Sequence, residues 1–148
     1  MIDITRETKS FPFDLLLEAD PSIDKVKGYL GRGDCYIAKQ NGEVLGAYVL
    51  LQKDSIVEIV NIVVDEGYRG KGIGKKLLQD ALFNAIQMGA ETVEIGTGNS
   101  SIGQLALYQK CGFRMMEIVQ GYFEEYEEDI IENGIVCRDM IRLSFSIN

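Results

Sequence analysis

The 148-residue chain has no histidine, no tryptophan, two prolines and three cysteines. Without histidine there is no Ser-His-Asp or Cys-His catalysis, and a zinc site loses a principal ligand. Any general base must be a carboxylate, a tyrosine, a cysteine, a lysine or water. Cys35, Cys111 and Cys137 are widely spaced and form no CxxC pair, which excludes thioredoxin-like and zinc-ribbon arrangements. They read as free thiols in a reducing compartment, and no metal is expected. The longest apolar run, residues 47–51, is far too short to span a bilayer, and residues 1–11 lack the h-region of a secretory signal. The expected location is the cytoplasm. Positive charge is also scarce, with 15 Lys+Arg against 23 Asp+Glu and a net charge of −8. That disfavours nucleic acid and acidic membranes as partners and suits a cationic small molecule.

The length fits one domain over residues 1–148 with a sizeable core. Residues 2–6 alternate like a short strand. Pro12 opens a first helix that ends near Asp20. Pro21-Ser22 opens a second helix to about Leu30, with Ile23, Val26 and Leu30 on its apolar face. Residues 35–39 and 44–51 flank Asn41-Gly42, a hairpin turn, and residues 55–64 form a third strand, giving an antiparallel meander. Residues 72–88 form the clearest helix. Leu77, Leu78, Ala81, Leu82, Ala85 and Ile86 lie on its inner face, and Lys75, Lys76, Gln79 and Asp80 lie opposite. A strand at 92–96, a helix at 102–110 and strands at 113–119 and 137–145 complete the order. The expected fold is mixed α/β (α+β) around one sheet.

The most informative stretch is residues 57–74, VEIVNIVVDEGYRGKGIG. An apolar strand runs through an arginine and closely spaced glycines into a helix. Amides at a helix N-terminus bind anions, and glycine lets a phosphate approach them. Three phosphate loops compete. Gly67 and Gly72 match the outer glycines of a P-loop, but Ile73 replaces its lysine. Gly70 and Gly72 begin a dinucleotide fingerprint, but Lys75 replaces its third glycine. The pattern Gln/Arg-x-x-Gly-x-Gly/Ala is met in full by Arg69-Gly70-Lys71-Gly72-Ile73-Gly74. About thirty residues on come a strand, Asn99, and Leu107-Tyr108-Gln109-Lys110-Cys111-Gly112-Phe113.

In these features the chain resembles the GCN5-related N-acetyltransferase (GNAT) superfamily. Residues 95–114 look like a small bacterial subgroup whose substrates are mostly unassigned. The resemblance implies a mostly antiparallel mixed sheet flanked by helices, with splayed strands at the coenzyme A site. It implies acetyl-CoA as co-substrate and an amine attacking the thioester directly in a ternary complex. Arg69, Gly70, Lys71, Gly72, Ile73 and Gly74 would cradle the pyrophosphate, with Lys71 and Lys75 adding charge at the rim. Gly72 and Gly74 would be glycine because a Cβ would block the approach. Backbone of Ile62, Val63 and Val64 would bond pantetheine, and a bulge near Asn61 would aim one N–H, that of Val64, at the thioester. Asn99 would also bond pantetheine. Tyr108 would protonate the leaving thiolate, and Glu58 would be the general base, directly or through water. The acidic and aromatic segment holding Tyr122, Glu124, Glu125 and Tyr126 would receive a primary amine of a small cationic molecule. The same segment is placed for a contact between copies, and the oligomeric state is left open. The alternative is a non-catalytic acyl-CoA-binding or sensing module that keeps residues 69–74 and lacks an acceptor site.

Overall fold

A computed structural model describes residues 1–147. Strand β1 (Asp3–Glu7) leads to helices α1 (Phe13–Ala19) and α2 (Ile23–Leu30). Three antiparallel strands follow: β2 (Asp34–Gln40), β3 (Glu43–Lys53) and β4 (Ile56–Val64). Asn41 and Gly42 take positive φ, as an Asn-Gly hairpin turn between twisted strands requires. A 3-10 turn (Glu66–Tyr68) and helix α3 (Ile73–Gln87) cross to β5 (Thr92–Gly98), which lies parallel to β4. Helix α4 (Ile102–Lys110) leads to β6 (Arg114–Val119), the short hairpin strands β7 (Ile130–Glu132) and β8 (Ile135–Cys137), and β9 (Met140–Ser146). The main sheet runs β1-β2-β3-β4-β5-β9-β6, so β9 inserts between two strands made before it. No helix among the described residues is long and apolar enough to cross a membrane.

Two apolar layers sandwich the sheet. Leu77, Leu78, Ala81 and Ala85 of α3 pack with Val57, Ile59, Val93 and Ile95 on one face, together with Tyr108 and Phe113. On the other face, Leu15 and Leu16 of α1 and Val26, Tyr29 and Leu30 of α2 cover Cys35, Ile37, Ala47, Val49 and Val63.

The order of the larger elements agrees with the sequence reading, and four details differ. Residues 130–137 form a hairpin turned by Asn133-Gly134, both at positive φ, and the last long strand starts at Met140 rather than 137. Ile23 is exposed, and Tyr29 takes its place among the buried residues of α2. Ile86 is 46% exposed, because the sheet covers only one stripe of α3. Asp80, expected on the outer face, is half-buried and accepts the Tyr48 hydroxyl at 2.6 Å. Asn84 donates to both, at 2.7 Å to Tyr48 and 3.1 Å to Asp80.

This polar triad pins the middle of α3 to β3. Tyr48 is fully buried and stacks on Tyr36 with ring centroids 4.8 Å apart. Removing its hydroxyl would leave Asp80 and Asn84 short of a partner in a sheltered site. Tyr48→Phe is expected to lower stability by about 1–3 kcal/mol in urea unfolding. A loss within error of zero would show that water replaces the bond.

Candidate functional site

Strands β4 and β5 pair only from Ile56–Thr92 to Ile59–Ile95. Beyond this point β4 stays with β3 as far as Val64, and β5 stays with β9 as far as Gly98. A cleft therefore opens between two strands that began as neighbours. Peptide groups along an antiparallel strand alternate between facing the partner and facing away. The Asp65 N–H donates to the Leu45 carbonyl at 2.8 Å, so Asp65 faces β3. Counting back, Val63 also faces β3, whereas Val64 and Ile62 present N–H and C=O to the cleft. The Val64 carbonyl accepts Arg69 Nε at 3.1 Å, which agrees with that direction. Of the expected backbone donors and acceptors, those of Ile62 and Val64 open on the cleft, whereas Val63 is corrected: its peptide groups are engaged with β3.

A bulge sits just before this stretch. Val49 is opposite Asn61 and Leu50 is opposite Ile59, which leaves Val60 as the extra residue. Burial along β4 alternates without a break, but the layer changes at the bulge. Val57 and Ile59 point to the α3 layer, Val60 and Val63 to the α1–α2 layer, and Ile62 and Val64 again to α3.

The loop after β4 leads into the start of α3. Arg69 reaches Glu18 of α1 at 3.4 Å as well as the Val64 carbonyl. The guanidinium therefore anchors the loop to the strand end and to α1. Gly70 and Gly72 have φ of +78° and +80°, a conformation side chains resist, and a Cβ on either would meet nothing within 4 Å. Backbone conformation is thus a reason for glycine at 72 beyond the close approach expected from the sequence. At Gly74 a Cβ would touch Leu107 and Val64 at ordinary contact distance. Ile73 is buried and seats the helix end, while Lys71, Lys75 and Lys76 are exposed around it. The first intrahelical bond runs from Lys76 N–H to the Gly72 carbonyl, and Gly72 offers no capping side chain. The amides of the first turn are thereby free to meet an anion.

Tyr108 of α4 is 4% exposed and packs 6.2 Å from the Phe113 ring. Among the described residues its hydroxyl has no hydrogen-bond partner. Burial pushes the phenol up from its ordinary value, so it stays protonated and donating at neutral pH. Asn99 is a clamp. Its Oδ1 accepts the N–H groups of Arg138 and Asp139 at 2.8 and 3.0 Å, and its Nδ2 donates to the Val136 carbonyl at 3.2 Å. Only one amide hydrogen is left for any other contact.

On the α1–α2 face, Glu58 lies 3.5 Å from Arg142, which also bonds Glu94 at 3.1 Å. The Glu58 carboxylate is therefore oriented by an ion pair. The acidic and aromatic segment is close to α2. Lys25 Nζ sits 4.8 Å over the Tyr122 ring and 5.2 Å over the Tyr126 ring, with the Glu125 carboxylate at 3.9 Å. Glu124 instead folds back over Gly121 of its own turn.

A polar chain runs from this cluster to the bulge. The Tyr126 hydroxyl donates to Asp20 at 3.3 Å, Tyr29 donates to the same carboxylate at 3.4 Å, and Asn61 Nδ2 donates to Tyr29 at 2.8 Å and to the Leu16 carbonyl at 3.0 Å. Burial first, then the Asp20 charge, pushes both phenols up. Among the described residues, the buried Asn61 Oδ1 has no partner. Sequence reading missed Tyr29 and Asp20. Tyr29, three residues after Val26, was legible on the helix face, whereas the convergence of Asp20 and Tyr126 depends on tertiary packing.

Residues 3–113 match the acetyltransferase (GNAT) family. An uncharacterised N-acetyltransferase of Bacillus subtilis, YvbK, is 56% identical over 144 residues, 96% of this chain and 93% of that protein. An IAA acetyltransferase from Bacillus cereus superposes with a TM-score of 0.96 at 53% identity, over 99% of this chain and 100% of that one. A GNAT family acetyltransferase from Elizabethkingia anophelis, solved with acetyl-CoA bound, superposes with a TM-score of 0.95 at 46% identity, over 99% and 98% of the two chains. Gly72→Val is expected to abolish coenzyme A binding in titration calorimetry while circular dichroism still reports a folded chain. Retained affinity would remove the loop from the site.

Proposed function

The chain belongs to the GNAT acetyltransferase family and is an acetyl-CoA-dependent N-acetyltransferase, and from that premise we propose that it acetylates a primary amine of a small cationic molecule in the cytoplasm. The observation that carries the reading of the site is the cleft between β4 and β5, with Ile62 and Val64 facing it and the start of α3 at its end. That arrangement fits an extended amide-bearing arm ending in a pyrophosphate. Residues 1–148 act as one domain in this reading.

Bound acetyl-CoA supplies a thioester carbonyl as the electrophile. Ile62 holds its pantetheine arm through backbone groups, and the Val64 N–H is the donor to oxygen as negative charge develops there. Gly70, Lys71, Gly72, Ile73, Gly74 and Lys75 receive the pyrophosphate through first-turn amides and exposed ammonium groups. Arg69 keeps the loop in place. Tyr108 donates its phenolic hydrogen toward the departing sulfur. Since burial makes the phenol a reluctant acid, its main contribution is a hydrogen bond to the thiolate rather than early proton loss.

Glu58 takes the proton of the attacking nitrogen, directly or through water, with Arg142 holding the carboxylate in direction. Loss of that proton is needed because an alkylamine is mostly protonated at neutral pH. Asn99 contributes by fixing the connection that follows β8. The net charge of −8 and the carboxylates of segment 120–129 favour a cationic acceptor over an anionic one.

A thiol-release assay with acetyl-CoA and a panel of cationic, neutral and anionic amines tests the acceptor class. Cationic amines are expected to have the highest kcat/KM, and transfer confined to anionic amines would overturn the reading. Glu58→Gln is expected to lower kcat about a hundredfold and Tyr108→Phe about tenfold, each with the KM for acetyl-CoA within about twofold of the parent. A kcat unchanged when chemistry limits turnover would remove the residue from its role.

A further inference from the structure

Lys25 occupies the place the sequence reserves for a ligand. The aromatic and acidic cluster was expected to receive an external cation, and the structure places an internal one there, an alkylammonium carried by α2. The rings of Tyr122 and Tyr126 both face it. They are held by neighbours: Phe123 stands edge-on to each, with centroids 5.0 and 5.8 Å away, and the Tyr126 hydroxyl is tied to Asp20. The cage is therefore built, while its occupant is held weakly. Lys25 is half-buried, its carboxylate partner Glu125 is 69% exposed, and their separation of 3.9 Å is longer than a direct hydrogen bond.

The cage also has a fixed relation to the reaction centre. Three hydrogen bonds, through Asp20 and Tyr29, connect Tyr126 to Asn61 at the bulge of β4. The Asn61 amide is fixed in one orientation, since the Leu16 carbonyl can only accept, and this leaves its Oδ1 as a buried acceptor with no partner among the described residues. Unmet acceptors of this kind mark places where a further donor belongs.

A cation seated over two rings beside a carboxylate is held there by its charge, which an attacking amine has to give up. We propose that Tyr122, Tyr126 and Glu125 form an anchoring subsite for a second, non-reacting ammonium of the acceptor, and that Lys25 is its built-in occupant, displaced when such an acceptor binds. The inference rests on the amine-acetyltransferase reading above and narrows its substrate class to compounds with two basic nitrogens. One nitrogen is anchored in place of Lys25, and the other loses a proton and attacks the thioester carbon. The sulfur leaves with the bonding electron pair, and the proton passes to Glu58 or water.

The test is steady-state acetyl transfer by the full chain to α,ω-diaminoalkanes of increasing length and to the matching monoamines. The parent is compared with Lys25→Met, Lys25→Arg, Tyr122→Leu and Tyr126→Leu. Lys25→Met keeps the length and removes the charge, so the KM for diamines is expected to fall about fivefold, as loss of a competing internal cation over two rings implies. Lys25→Arg is expected to resemble the parent, and the tyrosine variants to raise the KM for diamines. The KM for acetyl-CoA is expected to stay unchanged throughout, and the KM for monoamines to stay unchanged in the Lys25 variants. A diamine KM that is unchanged or raised in Lys25→Met overturns the proposal and makes Lys25 a tether between α2 and segment 120–129. A parent that acetylates monoamines and diamines with equal KM overturns the subsite and leaves the acetyltransferase reading standing. A parent that binds acetyl-CoA and acetylates neither overturns the reading of the acceptor.

Discussion

Where two parallel strands part, each is left with a row of peptide groups that nothing in the sheet can satisfy. The rest of this structure depends on keeping that row open and straight between β4 and β5. Each strand is held from its other side, β4 by β3 and β5 by β9. Helix α3 bridges the two through Leu77, Leu78 and Ala81, and the Tyr48–Asp80–Asn84 triad stops it from sliding. Open backbone is costly unless a ligand or water completes it. A binding arm with its own amides is the natural complement, and solved relatives of the family carry one.

The bulge at Val60 makes the cleft usable from both faces. Without it, Ile62 and Val64 would face the α1–α2 layer with Glu58 and Val60, and Asn61 would face α3 and not reach Tyr29. One extra residue changes which layer each later side chain of β4 enters. It thereby puts Asn61 on the face where Glu58, Tyr29 and Asp20 lie, next to the residues whose peptide groups open on the cleft. The proposed cofactor and acceptor elements are thus parts of a single strand's geometry.

Local features of the site were legible in the sequence. Gly70 and Gly72 announce a loop that needs positive φ, and the spacing to Tyr108 and Phe113 is set by regular elements whose lengths the apolar pattern reveals. The even alternation of residues 57–64 hid the bulge's change of layer, because both faces of β4 are covered and either parity looks apolar. Asn99 was read as a pantetheine contact from the resemblance, and its clamp on Arg138 and Asp139 stayed hidden because those partners are some forty residues away. Lys25 escaped notice for a similar reason: a lysine on an exposed helix turn looks solvated until the chain brings Tyr122 and Tyr126 over it. The missed hairpin at 130–137 had a local signal, Asn133-Gly134 between isoleucines, obscured by the charge run before it.

The position of β9 has a consequence for synthesis. It is the neighbour that holds β5 on the side away from the cleft, yet it is among the last parts of the described chain to leave the ribosome. Until then β5 has a bare outer edge and β6 has no strand to join. The meander of β2, β3 and β4 involves only close-range contacts and can form early, whereas the far wall of the cleft waits on a segment more than forty residues downstream of β5. During translation the nascent chain thus has a half-made sheet with an open edge, the state in which such a fold is most exposed to wrong partners.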